Sequence, residues 1–81
     1  MTYQEAIENL RIAEKAYNAG AYSESADIVR KLAYYAIGKD DVLTAKQRDE
    51  VTEAVKRAIG RFTYCPDEAV WEDVCGLEDL F

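Results

Sequence analysis

Histidine is absent from this sequence, and its 81 residues include only one proline, four glycines and two cysteines. Each shortage excludes something. Without histidine, Ser–His–Asp and Cys–His nucleophilic sites and most zinc sites are ruled out. Two cysteines are too few for a secreted disulfide scaffold. So little glycine and proline argues against a loop-rich β-sandwich or a proline-rich linker. No apolar run approaches the roughly 20 residues of a membrane span. The opening MTYQEAIENL has neither the basic region nor the apolar stretch of a secretory signal. The expectation is one cytoplasmic domain, 1–81, with reduced thiols and no membrane partner.

Catalytic and metal motifs are equally scarce. No glycine-rich turn precedes a helix in the manner of a phosphate loop. Asp40-Asp41 is too short for a calcium loop, which needs alternating oxygen ligands over about twelve residues. Cys65 and Cys75 flank a segment that reads as helical, which would separate them by about 15 Å. A disulfide needs Cα atoms within roughly 7 Å, so both are expected to pack as small apolar residues. Nothing marks two carboxylates as facing each other in a cleft. The chain is therefore read as a non-enzyme, with no catalytic residue, metal or cofactor.

What is present is a helical pattern. Hydrophobic residues make up 49% of the chain and charged residues 32%, a globular composition. Thr2 and Glu5 have the spacing of a capping box. Tyr3, Ala6, Ile7, Leu10, Ala13 and Tyr17 then recur on one helical face up to the stop at Gly20. Ser23 is the expected cap of a second helix, in which Ala26, Val29, Ala33 and Ala36 form a stripe flanked by Ile28, Leu32 and Tyr35. The wide apolar arc makes this helix central, and Gly38 ends it. Thr44 and Gln47 form a second capping box ahead of Val51, Ala54, Val55, Ala58, Ile59 and Phe62, with Gly60 expected to fray or end that helix. Residues 63–65 read as extended. Pro66 suits the first position of a short fourth helix with Gly76 as its stop, and residues 77–81 add at most one loose turn. The fold class is an all-α bundle with helices over about 3–19, 23–37 and 45–60, plus a short C-terminal helix over about 66–75.

Ala13, Ala16, Tyr17, Gly20, Tyr22, Ser25, Val29 and Leu32 give residues 10–37 a likeness to a known unit. The segment resembles one tetratricopeptide (TPR) helical hairpin, in which small residues sit where the helices cross and a Gly-x-Tyr turn joins them. Asn9 stands where that family has an aromatic, and Ile37-Gly38-Lys39 where it has a proline. The resemblance implies a tightly crossed αα-hairpin. It does not imply the peptide groove of an array, which takes three or more repeats.

Charge is the least generic feature. Residues 1–61 contain ten acidic and all ten basic residues, while 62–81 contain six acidic residues and no base, so the whole net charge of −6 lies at the C-terminal end. In that segment Val70, Val74, Leu77 and Phe81 recur at helical steps, flanked by Trp71 and Leu80. The pattern describes an amphipathic element that closes the protein's own core, docks on a partner, or does both. The candidate partner-binding residues are Asp67, Glu68, Trp71, Glu72, Asp73, Glu78, Asp79 and Phe81, with the 38–43 loop as a secondary region. The bases are scattered among acids, so direct nucleic-acid binding is not expected. Lys56, Arg57 and Arg61 are expected to neutralise the acidic end.

The partner implied is a protein with a basic surface, with the chain acting as an inhibitor or adaptor. In size and charge it is similar to small acidic phage inhibitors, anti-CRISPR and DNA-mimic proteins among them, a similarity of composition without a motif. The alternative is a TPR-like structural or self-associating module, a homodimer for example. Six tyrosines favour it, because tyrosine suits half-buried interfaces.

Overall fold

The computed structural model describes residues 2–38 and 43–80, apart from the Glu78 side chain. The described residues form α1 (Tyr3–Asn18), α2 (Tyr22–Ile37), α3 (Ala45–Arg61) and α4 (Glu68–Cys75), with 3-10 turns at Phe62–Tyr64 and Gly76–Leu80 and no strand. Most of the 38–43 loop, residues 39–42, lies outside the described residues.

Local chemistry explains most boundaries. The Thr2 hydroxyl accepts the Glu5 N–H at 3.2 Å and caps α1. At its other end Gly20 has φ +86°, the left-handed conformation that only glycine adopts without strain. The Gly20 N–H reaches the Tyr17 carbonyl at 3.1 Å and the Ala21 N–H the Ala16 carbonyl at 2.8 Å. These two bonds form a Schellman motif, which satisfies α1's last carbonyls and turns the chain sharply. The box expected at α3 is complete. The Thr44 hydroxyl accepts the Gln47 N–H at 3.1 Å, and the Gln47 side chain accepts the Thr44 N–H at 3.2 Å. The C-terminus of α2 carries no base of its own. Arg48 of α3 serves it instead, donating to the Ala36 and Gly38 carbonyls.

Four expected boundaries are corrected. The second helix starts at Tyr22 with Ala21 as its cap, so Ser23 lies inside it. The Tyr22 ring packs edge-on against Tyr17 at 5.1 Å, which draws that residue into the first turn. Gly60 does not end α3, because Ile59 and Phe62 are both buried and hold the chain in helical register across it. Residues 63–64 continue as a 3-10 turn, and only Cys65 is extended (ψ 129°), as the residue before a proline prefers. Pro66 precedes α4 rather than opening it, since Asp67 is the cap.

The core confirms α2 as the central helix. It packs against α1, α3 and α4, and contributes Ser25, Ala26, Val29, Leu32, Ala33 and Ala36 to the interior. Small residues allow the close α1–α2 crossing, and the buried Ser25 hydroxyl donates to the Ala13 carbonyl across it at 2.7 Å. Phe62 is buried beside Tyr17 with their rings edge-to-face at 5.0 Å, and the Tyr17 hydroxyl donates to the Arg61 carbonyl at 2.8 Å. The pair ties α1 to the end of α3.

Burial raises the Tyr17 phenol above its ordinary 10.0, with the neighbouring Cys65 and Tyr22 adding to the effect against an opposing Arg61. A raised phenol binds its proton more tightly in the folded chain. Its stability contribution is complete below pH 10 and is lost as pH climbs through the folded value. Tyr17→Phe should cost about 1 kcal/mol at neutral pH, for the lost hydrogen bond. Urea unfolding followed by circular dichroism should show that deficit shrinking above pH 10, where wild type loses the ionisation-linked part of its advantage.

Candidate functional site

The apolar half of the acidic segment faces the protein's own core. Val70, Val74 and Leu77 are buried, and α4 and the Gly76–Leu80 turn pack on α2. Phe81, the fourth member of that stripe, lies outside the described residues. At about 100° per residue, Glu68 and Glu72 fall on the face opposite Val70 and Val74. Trp71 and Asp73 take the two flanks. The inner face closes the bundle while the carboxylates project outward.

The eight predicted residues are not equivalent. Asp67 is a structural cap, with its carboxylate accepting the Ala69 and Val70 N–H groups at 3.1 and 3.4 Å. It anchors α4 to the extended Cys65-Pro66 link and has less of its charge to offer a partner. Asp73 lies 3.6 Å from the Arg30 guanidinium of α2, which also pairs with Asp27 at 3.4 Å. Glu68, Glu72 and Asp79 are exposed. Glu78 lies in the terminal 3-10 turn, its side chain outside the described residues. Trp71 is 37% exposed, an indole part-seated on the protein and part-open to solvent, and Tyr64 and Leu80 extend the apolar surface at 85% and 37%.

Two expectations about the surroundings are corrected. Arg61 does not neutralise the acidic end, because it pairs with Glu14 of α1 at 2.9 Å. Arg30 reaches Asp73 of α4 instead, brought there by α2 and marked by no local spacing. Cys75 is exposed rather than buried, since it shares the outer face of α4 with Glu68 and Glu72, while Cys65 is half-buried and both thiols are free.

Among the described residues no cluster of acidic or sulfur ligands is arranged to hold a metal ion, and no helix is long and apolar enough to cross a membrane. The described residues form a small all-α protein with one acidic end. Comparison with protein-family models, with curated proteins and with solved structures returns no match.

Substitutions should separate the scaffold carboxylate from the outward ones. Asp67→Ala removes a cap and should cost about 1 kcal/mol in urea unfolding. Glu72→Gln removes like-charge repulsion against Glu68 one turn away and should leave stability equal or raised by a few tenths of a kcal/mol.

Proposed function

We propose that this protein is a non-enzymatic, acidic protein-binding module of the cytoplasm, an inhibitor or adaptor that docks the outer face of α4 and the adjoining 76–80 turn on a basic surface of a partner protein. The observation that carries the reading is the division of this segment. Its apolar side chains are buried in the bundle, yet Glu68, Glu72 and Asp79 stay exposed beside a half-open Trp71, with no Lys or Arg anywhere in 62–81. The helix dipole favours Glu68 in the first turn of α4, but folding does not need Glu72 or Asp79. The Glu68–Glu72 pair opposes helix stability by a few tenths of a kcal/mol, so a role outside folding accounts for Glu72 better.

Magnitudes shape the contact. An eight-residue helix is about 12 Å long, short of what an ordinary interface of roughly 800 Å² per partner requires. Tyr64 and Leu80, exposed on either side, extend the surface with apolar area. Trp71 is the natural anchor, since tryptophan dominates binding energy when it enters a desolvated pocket. The carboxylates steer the encounter and set its salt dependence. Six carboxylates over 20 residues is sparser than duplex DNA, with one charge per about 1.7 Å. The reading is accordingly a plug in part of a basic groove, such as one that holds nucleic acid, rather than a mimic of a whole duplex.

The test compares two baits in host lysate. One is the full chain; the other carries Glu68→Gln, Glu72→Gln, Glu78→Gln and Asp79→Asn, keeping the Asp67 cap and the Asp73 pair. A partner held by the full chain, released steeply by salt and lost by the neutralised bait is the expected result. A partner held equally by both, unchanged from low to high salt, overturns the reading.

A further inference from the structure

A second charged surface lies on another face of the bundle. Between α1 and α3 runs a groove of about 250 Å³, floored by Ser25 and Val29 of α2 and closed at one end by Tyr17 and Phe62. Its apolar walls are Ile7 and Leu10 of α1 and Ala54 and Ala58 of α3. Its rim carries Arg11 from α1 and Arg57 and Arg61 from α3, with Glu14 as the only acid. Glu14 is engaged by Arg61. Among the described residues no carboxylate lies within ion-pair distance of Arg11 or Arg57. An apolar groove with a cationic rim thus exists in a chain whose net charge is −6.

We propose that this groove receives the acidic C-terminal face of a second copy of this chain, so that copies associate head to tail. The proposal rests on the reading above, that the outer face of α4 seeks a basic surface, and names the partner as the protein itself. Size argues for a protein occupant. The groove is smaller than the roughly 300–1,000 Å³ of small-molecule pockets and is open along one side. It has room for one or two side chains from a surface that covers its mouth.

Chemistry names the surface. Trp71 and Leu80 are half-exposed apolar groups, and the surrounding Glu68, Glu72 and Asp79 are opposite in charge to Arg11 and Arg57. Within one copy the two surfaces are kept apart, because buried Val70 and Val74 hold α4 on α2. The acidic face meets such a rim only in another molecule. The contact is heterologous, each copy offering a different patch at each end, and it continues into a ring or a chain. The surface of 5246 Å² accommodates two such patches of roughly 800 Å² each.

Sedimentation equilibrium over a wide concentration range tests this with three proteins. Wild type should rise above its 9.2 kDa monomer mass as concentration increases. A groove variant (Arg11→Glu, Arg57→Glu) and a face variant (Glu72→Gln, Asp79→Asn) should each associate roughly tenfold more weakly or worse, with two exposed charge pairs lost. All four positions are exposed, and circular dichroism should show wild-type helicity in both variants. The decisive sample is the equimolar mixture. The groove variant keeps its acidic face and the face variant keeps its groove, so together they should form a complex of two copies that grows no further. A wild type that stays monomeric, a variant that associates as wild type does, or a mixture of correctly folded variants that stays monomeric overturns the proposal. If wild type is monomeric while the lysate partner is still lost by the neutralised bait, the acidic-face reading stands and only the self-partner falls.

Discussion

The contact between Tyr17 and Phe62 determines where the rest of the molecule goes. Phe62 is fully buried at the end of α3, and complete burial of such a side chain is worth about 1.5–3 kcal/mol, a sizeable share of what a domain this small has. The Tyr17 ring meets Phe62 edge-on, while its hydroxyl holds the Arg61 carbonyl just where regular α-helix ends. The backbone there tightens into the 62–64 turn, becomes extended at Cys65 ahead of Pro66, and re-enters a helix at Glu68. That anchor fixes where the chain leaves α3, and the buried Val70, Val74 and Leu77 then hold α4 and the turn after it on α2. The position of the acidic face is thus set by uncharged contacts, the aromatic pair at its start and the apolar stripe beneath it.

Anchoring of this kind lets one short segment serve two ends. Its inward side chains, Val70, Val74 and Leu77, complete a core that three helices leave open. Its outward side chains are then unconstrained by packing, and every ionisable one of them is acidic or a thiol. The start of the helix reinforces the arrangement. Asp67 and Glu68 sit at the positive end of the helix dipole, where negative charge is favourable. Glu72 is beyond the reach of that effect and gains nothing from it. Stability accounts for the first two carboxylates and not for the third, which makes Glu72 the most informative residue of the face.

The elements legible in the sequence were those whose causes are local. Thr44 with Gln47 and Gly20 after an apolar stripe each carry their chemistry within a few residues, and the structure realises each through a specific hydrogen-bond pattern. The boundaries that shifted depend on packing that spacing alone does not show: Tyr22 enters α2 to meet Tyr17 across the turn, and Gly60 stays helical because Ile59 and Phe62 are both buried. The Arg48 cap is a tertiary contact, made on a helix other than its own. The site divides the same way. Its charge imbalance is plain in the composition, and the burial of Val70 and Val74 follows from their spacing. The roles of Asp67 as cap and Asp73 as partner of Arg30 depend on a local fold and a tertiary neighbour that composition does not show. The arginine-rimmed groove was hidden for a further reason. Arg11 lies more than 40 positions from Arg57 in the chain, and only the α1–α3 packing makes them neighbours.

The missing histidine has a last consequence. Histidine is the side chain whose unperturbed charge changes between pH 5 and 8, and a chain without it lacks the usual means of switching a charged interface with pH. The outward face and the groove rim are built from carboxylates and guanidinium groups instead. An attachment made by them is governed by ionic strength, which screens exposed charges over a Debye length of about 8 Å at physiological salt, and by whatever competes for the same basic surface. On the function proposed above, competition with a polyanion for one basic surface is how this chain would act on its partner.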